Sequence, residues 1–382
     1  MKKDLLDYVI CPNTGESGLQ AYAIETARNN SIVRSLFDQD LRPEDEIVTG
    51  IIFHEKERRV YAVVKSVAVL LSDHEVQNKD QIELLLTLRK DCPPAIREMI
   101  DQTIAQLKAA PPTIQGRWAK DEMNYFDKDV ESESMRAQFL EKIQRTPIWD
   151  LILSRKKAIT DRISIADVQK PLVLEVGCGN SRTVSWIFSP VRRGYRYVGS
   201  DISLKRLFLA KKVIPPGDFV QCSVLNLPFR EETFHAVLGF GVFHHLENPM
   251  AAIEHCARKV KRNGFLAMHE PIRRPKLLKK YSRLRPLFRG YVHSSHDNEI
   301  EGEKTLSHLQ KNGFEILYKI YENSYYRYLA GRLLNKASVL DRRRWIHEFL
   351  ISTDQMVIRT LGRLSPLFGP SSILFVAQKR SR

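Results

Sequence analysis

The pattern of apolar and polar residues divides the chain into three stretches. Residues 1–75 alternate short apolar runs with turn residues, which is typical of strands joined by hairpins. Residues 76–168 place apolar residues three and four apart between proline pairs, which predicts helices. In residues 169–382, short apolar runs alternate with helical patterns. We therefore expect an α/β domain that follows a small β-rich domain and a helical linker.

The clearest local pattern is LVLEVGCGN, at residues 172–180. Its nearly continuous apolar run predicts a strand that is buried on both faces. Gly177 and Gly179 then allow a tight turn in which a ligand can lie against the bare backbone. The turn is followed by residues that can cap a helix, namely Asn180, Ser181 and Thr183. The pattern predicts a strand, a glycine turn and a helix in that order.

A Gly-x-Gly turn fits two classes of cofactor. A nicotinamide site favours a third glycine three residues later, but Arg182 occupies that position. The next predicted strand, residues 195–199, is followed instead by Asp201. A carboxylate at that point can accept hydrogen bonds from both ribose hydroxyls, or it can cap the predicted helix 204–212. This context favours a nucleoside cofactor over a nicotinamide dinucleotide.

Four segments in order carry a family resemblance: LEVGCGN, VGSDIS, VLNLPFREETFHAVLGFGVFHHLENP and KRNGFLAMHEP, which cover about residues 170–272. Together they resemble class I S-adenosylmethionine-dependent methyltransferases, especially the quinone-biosynthesis and natural-product enzymes. The resemblance implies a Rossmann-like seven-stranded sheet with an antiparallel last strand and helical insertions. It also implies an enzyme whose cofactor is S-adenosyl-L-methionine.

The same resemblance implies a set of cofactor-binding residues. Glu175 and the two glycines would surround the methionine part of the cofactor, and Asp201 would bind its ribose. Ser223 stands where many relatives carry an aspartate for the adenine amino group, and a serine accepts that hydrogen bond more weakly. His235 also replaces an aspartate of the relatives. The full cofactor set is Glu175, Gly177, Gly179, Asp201, Ile202, Ser223, Val224 and Phe240.

Candidates for catalysis follow the fourth predicted strand, residues 236–239. Ligands bind beyond the carboxyl ends of strands in such sheets, which places Phe240, His244 and His245 at the reaction face. Glu270 ends the next predicted strand, residues 264–270. Each histidine and Glu270 is a candidate general base, although each also has a purely structural interpretation. Two adjacent histidines supply too few ligands for a metal, so we predict none.

The β-rich stretch, residues 1–75, resembles the small zinc-ribbon-derived domain that partners or precedes methyltransferases. Cys11 survives from its Cys-Pro-x-Cys knuckle, but Thr14 replaces the second cysteine, and no further pair occurs near residues 50–54. One cysteine and His54 cannot supply four zinc ligands. We therefore expect a metal-free domain that docks onto the catalytic domain or a partner, or that acts as a structural cap.

The helical stretch, residues 76–168, contains Trp118, Tyr125 and Phe126. In related methyltransferases, an aromatic-rich helix before the first strand folds over the cofactor as a lid. Aromatic residues at this spacing also fit ordinary packing, so the sequence leaves both interpretations open.

The positive charge of the chain is concentrated in its last third. Residues 1–250 are neutral, so the whole formal net charge of +15 lies in residues 251–382. Within the predicted cap segment 272–300, residues 274–291 form a basic amphipathic pattern, which fits a cap over a substrate pocket or an interfacial segment on anionic lipid. A long predicted helical insertion, residues 325–368, carries aromatic residues and arginines that fit base stacking or a pocket lining.

These features together favour one function and leave two alternatives. We expect methyl transfer to a small-molecule or lipid-linked acceptor at oxygen, nitrogen or carbon. RNA methylation is the first alternative, and a degenerate methyltransferase that serves as a binding module is the second. The start of the chain does not resemble a secretory signal, and five unpaired-looking cysteines fit a reducing compartment. We therefore expect a cytoplasmic protein. The sequence leaves open whether it contacts the inner face of the membrane and which oligomeric state it has.

Overall fold

The computed structural model describes residues 1–28, 31–37, 40–73, 79–110, 120–121, 123–124, 127, 161–165, 168–188, 194–272, 298, 300–322, 352–353, 356–360 and 372–381. The predicted lid aromatics Trp118, Tyr125 and Phe126 lie outside these residues, as do the basic segment 274–291 and most of the insertion 325–368. The chain divides into two compact units. The first contains Met1–Val130, Lys170–Ser185 and Pro190–Phe234, and the second contains Glu131–Gln169, Trp186–Ser189 and His235–Arg382.

The first unit is built on a mixed sheet. Its strands are β1 (Gln20–Arg28), β2 (Ser31–Phe37), β3 (Glu46–His54), β4 (Arg59–Val64), β5 (Val67–Val69), β6 (Leu172–Val176), β7 (Arg196–Asp201) and β8 (Asp218–Gln221). They lie in the order β6-β7-β8-β5-β4-β3-β1-β2. The helices of this unit are α1 (Lys79–Arg89), α2 (Pro94–Ala109), α3 (Arg182–Ile187) and α4 (Leu204–Val213). Strands β6, β7 and β8 are parallel, so their carboxyl ends meet at one edge.

The N-terminal strands extend the sheet that carries the glycine turn. Strand β5 pairs in parallel with β8, with Ala68 opposite Val220. Ion pairs support the same junction, because Arg196 on β7 contacts both Asp4 and Asp218. The β-rich region is therefore joined to the strands that follow it by the pairing of β5 with β8.

The apolar pattern explains how this unit is packed. All five residues of β6 are buried, as a strand covered on both faces requires. Helix α2 buries residues at helical spacing, including Ile96, Ile100 and Ile104, and they form one cluster with α1 and the N-terminal strands. The predicted helices between residues 76 and 110 are thus confirmed as a layer on the β-rich part of the sheet.

The second unit has its own strands and helices. They are β9 (Phe234–Phe240), α5 (Pro249–Lys259), β10 (Val260–Pro271), α6 (Gly302–Lys311), β11 (Phe314–Glu322) and β12 (Ser372–Lys379). The strand order is β11-β12-β10-β9, and β12 runs antiparallel to both β10 and β11. The described part of residues 169–382 thus contains the seven strands β6–β12, and the Rossmann-like α/β prediction is confirmed.

The element boundaries differ from prediction by a few residues. Helix α5 ends at Lys259, and β10 begins at Val260 rather than at the predicted residue 264. Val260 is extended and fully buried, so its side chain belongs to the core. Among the described residues, no helix is both long and apolar enough to span a membrane.

Candidate functional site

The glycine turn joins β6 to α3 within the first unit. Gly177 and Gly179 have φ values of 59° and 53°, a backbone conformation that favours glycine. The amide of Gly179 donates a hydrogen bond of 2.8 Å to Asp201 Oδ2. The turn is therefore fastened to the end of β7, and the structure brings together the glycines and the acid that the sequence singled out.

Asp201 is oriented by backbone donors on both sides. Oδ2 accepts from Gly179, and Oδ1 accepts from the amide of Ser203 at 2.9 Å. Burial raises the pKa of Asp201, while the Ser203 amide, the Arg206 charge and the Gly179 amide partly oppose this effect. Each carboxylate oxygen can accept a second hydrogen bond, so the group retains the capacity to bind ligand hydroxyls.

Glu175 lies on β6 and is buried against the neighbouring strand. The Tyr197 hydroxyl donates to Glu175 Oε2, and Ser181 Oγ lies 2.9 Å from the same hydroxyl. Burial and the nearby Glu175 raise the pKa of Tyr197 well above its ordinary value, so the hydroxyl remains protonated as a donor. Tyr197 and Ser181 were not selected as site residues from the sequence. The signal was available, since a tyrosine inside a fully buried strand needs a hydrogen-bonding partner.

Three further predicted cofactor residues also lie in the first unit. Ser223 Oγ accepts from the amide of Leu225 at 3.2 Å and so caps a short 3₁₀ turn that begins at Val224. Ile202 is partly buried and packs against the core formed by α1 and α2. Contact of Ser223 and Val224 with the adenine, and of Ile202 with the cofactor, stays a prediction.

Glu270 organises the turn after β9 in the second unit. Its side chain has no exposed surface. Oε1 accepts from the amides of Gly241 and Val242 at 2.9 and 2.8 Å. Oε2 lies 3.3 Å from the amide of His244 and 2.8 Å from His244 Nδ1. A single carboxylate thus shapes the turn and holds one imidazole.

His244 and His245 form part of a 3₁₀ turn, and their rings lie 3.9 Å apart. The Glu270 contact favours the tautomer of His244 with its proton on Nδ1, which leaves the lone pair on Nε2. Phe240, the last residue of β9, is partly buried. The second unit therefore brings the three predicted candidates for a general base into one cluster.

Sequence reasoning missed the residue that ties this turn to the predicted cap. Asn298 donates from its backbone amide to the His244 carbonyl at 2.6 Å and from Nδ2 to the Leu246 carbonyl at 3.0 Å. Ile272 and Ile300 also form an isolated bridge. Asn298 therefore lies beside the turn that carries the histidines. These contacts join residues about 50 positions apart, and no local pattern announces them.

Cys11 and His54, which the sequence analysis considered as metal ligands, both have protein partners. Cys11 Sγ lies 3.1 Å from the Tyr61 hydroxyl. His54 contacts the Ser17 carbonyl through Nε2, and its Nδ1 accepts from the Glu57 amide. Within the described residues, no group of three or more histidine, cysteine or acidic side chains is placed to hold a metal ion.

Comparisons with known proteins agree with this geometry. Residues 174–268 match the family described as a methyltransferase domain. The chain is 26% identical over 156 residues to the demethylmenaquinone methyltransferase of Thermotoga maritima, covering 41% of this chain and 63% of that protein. It is 30% identical over 106 residues to the mouse probable tRNA methyltransferase 9B, covering 26% of this chain and 22% of that protein. The chain therefore spans less than two thirds of the length of either relative.

Two solved structures are also similar. One is phosphoethanolamine N-methyltransferase 2 of Haemonchus contortus, with 15% identity, a TM-score of 0.41, and coverage of 60% of this chain and 53% of that chain. The other is the geranyl diphosphate C-methyltransferase of Streptomyces coelicolor, with 14% identity, a TM-score of 0.41, and coverage of 59% and 78%. Residues 174–268 are thus similar to a methyltransferase domain, and the matched stretch contains the glycine turn and the acid that ends the following strand.

Proposed function

We propose that the protein transfers a methyl group from S-adenosyl-L-methionine to a small-molecule or lipid-linked acceptor. The observation that carries this proposal is the bond between Gly179 and Asp201, which places a carboxylate beside a bare glycine turn. In this proposal Glu175 and the two glycines hold the methionine part, and Asp201 accepts from the ribose hydroxyls. Ser223 and Val224 would contact the adenine, and Ile202 would contact the cofactor.

The bound cofactor supplies an electrophilic methyl group on a sulfonium. The protein therefore does not need a strong nucleophile, and its residues act by holding the acceptor in line with the methyl group and excluding water. Phe240, at the end of β9, would offer an aromatic face that favours the positive charge.

His244 is the proposed general base, and Glu270 is its positioning residue. Glu270 has no exposed surface and already accepts bonds from the turn, so it acts on an acceptor only through His244. A buried carboxylate at 2.8 Å fixes the ring and stabilises the imidazolium that forms when His244 takes a proton. For a hydroxyl or carbon acid acceptor, such a base contributes about 10²–10⁴-fold to the rate. His245 packs on the same ring and is the alternative base.

The acceptor class is supported by the relatives and by charge. The Thermotoga relative is named as a demethylmenaquinone methyltransferase, which suggests a lipid-linked acceptor. Segment 273–297 is rich in lysine and arginine, its single acidic residue is Asp297, and Asn298, which follows it, lies beside the histidine turn. Such a segment would favour an anionic acceptor or an anionic membrane surface.

RNA methylation is the second candidate function. The mouse relative is named as a probable tRNA methyltransferase, and the positive charge of residues 251–382 suits a phosphate backbone. Neither of these two observations identifies a recognised RNA-binding module.

Calorimetry separates an enzyme from a binding module. We expect the protein to bind S-adenosylmethionine and S-adenosylhomocysteine but not NADH. If neither sulfur compound binds, the methyltransferase proposal is wrong and the degenerate binding module is left.

Transfer of a labelled methyl group then identifies the acceptor class. Bulk lipid extract and bulk RNA are incubated with the protein and labelled cofactor at low and high salt. We expect label in the lipid fraction, together with sedimentation on phosphatidylglycerol vesicles but not on phosphatidylcholine vesicles. Label in RNA, with affinity that falls steeply as salt rises, would instead support the second candidate.

A further inference from the structure

Arg206 lies against the glycine turn, although no sequence motif pointed to it. It is in the first turn of α4, where its backbone amide donates to the capping Ser203 Oγ at 3.2 Å. Its Nη1 atom lies 3.5 Å from the point at which a Cβ on Gly179 would stand. The guanidinium therefore covers one side of the bend in which a cofactor would lie.

The same guanidinium faces the carboxylate of Asp201. Burial raises the pKa of Asp201, and the positive charge of Arg206 opposes that rise. Asp127 also faces Asp201, and its negative charge raises the pKa of Asp201. Lys205 lies 3.7 Å from Asp127 on the far side. Cys178 faces Asp201 from the turn itself, and burial keeps its thiol protonated by raising its pKa.

Two parts of the proposed cofactor site thus share one cation. The Gly179 amide bonds to Asp201. Arg206 lies close to Gly179, and its positive charge acts on Asp201. Ser203 links the same elements, because its amide donates to Asp201 and its hydroxyl bonds to both the Arg206 amide and Asp127. Removing the guanidinium would therefore leave Asp201 beside Asp127 without its balancing charge.

We propose that Arg206 is a positioning residue of the cofactor site, which braces the Gly179 turn beside the Asp201 carboxylate that would accept the ribose hydroxyls. This inference rests on the proposed function, since it assigns a role in binding S-adenosylmethionine. It adds a cation to a site whose sequence motif consists of glycines and acids.

The test is calorimetry of S-adenosylhomocysteine between pH 5.5 and 8 with Arg206→Met, Arg206→Lys and wild type. We expect Arg206→Met to lose up to about tenfold in affinity, with a larger loss at the acid end of this range than at pH 8, because an opposite charge at short range lowers an acid's pKa by about one unit or more. The pH at which affinity falls should move upward by about one unit. Arg206→Lys should recover most of the affinity.

Matched controls make the outcome decisive. Lys212→Met removes an exposed cation from the last turn of the same helix and should leave both affinity and pH profile unchanged. A loss in Arg206→Met that is equal at all pH values, or no loss at all, would overturn the positioning role. If Arg206→Met does not fold, Arg206→Gln carries the same test. Absence of binding by wild type would instead refute the proposed function.

Discussion

Two buried carboxylates end strands in the two units, and their partners give them different capacities. Asp201 accepts from two backbone amides and faces one guanidinium. Glu270 accepts from three backbone amides and one imidazole. A carboxylate has about four acceptor positions, so Glu270 is saturated by its own turn whereas Asp201 retains positions for a ligand. The residue type alone does not distinguish a binding acid from a positioning acid, but the count of internal donors does.

The largest effect is expected for Glu270→Ala. Its loss removes the acceptor of the partly buried Val242 amide and the carboxylate beside the His244 ring, whereas the Gly241 amide keeps the His269 carbonyl. An unsatisfied donor costs about 1–3 kcal/mol. We expect the free energy of unfolding to fall by about 3–5 kcal/mol in urea titrations. Glu254→Ala, which removes an exposed acid from α5, is the control and should change it by less than about 1 kcal/mol. A similarly small change in Glu270→Ala would refute the interpretation that donors of its own turn saturate Glu270.

The second prediction concerns the N-terminal strands. Ala68 pairs with Val63 on β4 and with Val220 on β8, so Ala68→Pro removes a ladder amide and strains β5. We expect a loss of up to about 3 kcal/mol in the stability of the first unit, because the partner carbonyl loses its hydrogen bond inside the sheet. Hydrogen exchange should then accelerate in β8 as well as in β3 and β4. Protection of β8 that stays unchanged would show that the cofactor strands fold without this pairing.

The third prediction tests the capacity of Asp201 for a ligand. Asp201→Ala removes the proposed acceptor of two ribose hydroxyls, and hydrogen bonds to a charged group are worth about 1.5–3 kcal/mol each. We expect the affinity for S-adenosylhomocysteine to fall by about 100-fold or more in calorimetry. Asp101→Ala, at an exposed ion pair of α2 with Arg89, should bind like wild type. Equal affinities of the two variants would remove Asp201 from the site.

The smallest effect is expected for Tyr197→Phe. The hydroxyl lies between Ser181 and Glu175, and its loss should cost about 1–2 kcal/mol of stability at pH 7. The pKa of Tyr197 is raised in the folded state, so above about pH 10 the unfolded tyrosine ionises while the folded one does not. The stability of wild type should therefore fall toward that of the variant as pH rises past this value. A difference that grows in urea titrations at pH 10.5 would contradict this assignment.

Local patterns were sufficient for a large part of the fold and of the first site. The apolar run of β6 predicts a buried strand, because successive residues of a strand point to opposite faces of the sheet and both faces are then apolar. Gly177 and Gly179 predict their turn because a positive φ is a property of the single residue. The last strand β12 was placed by family resemblance, and the structure confirms its antiparallel direction. Element ends were less predictable, since β10 begins at Val260 rather than at residue 264.

The sequence by itself determined the parallel strands, the glycine turn and the acid that follows β7, because each depends on residues close together in the chain. Only the tertiary structure decided which acids are saturated, that Tyr197 supports Glu175, that Arg206 covers Gly179, and that β5 lies beside β8. These relations depend on which distant residues meet in the folded chain. Hydrogen-bond donors and charges act over a few ångströms, so their partners are fixed by folding and not by spacing along the sequence.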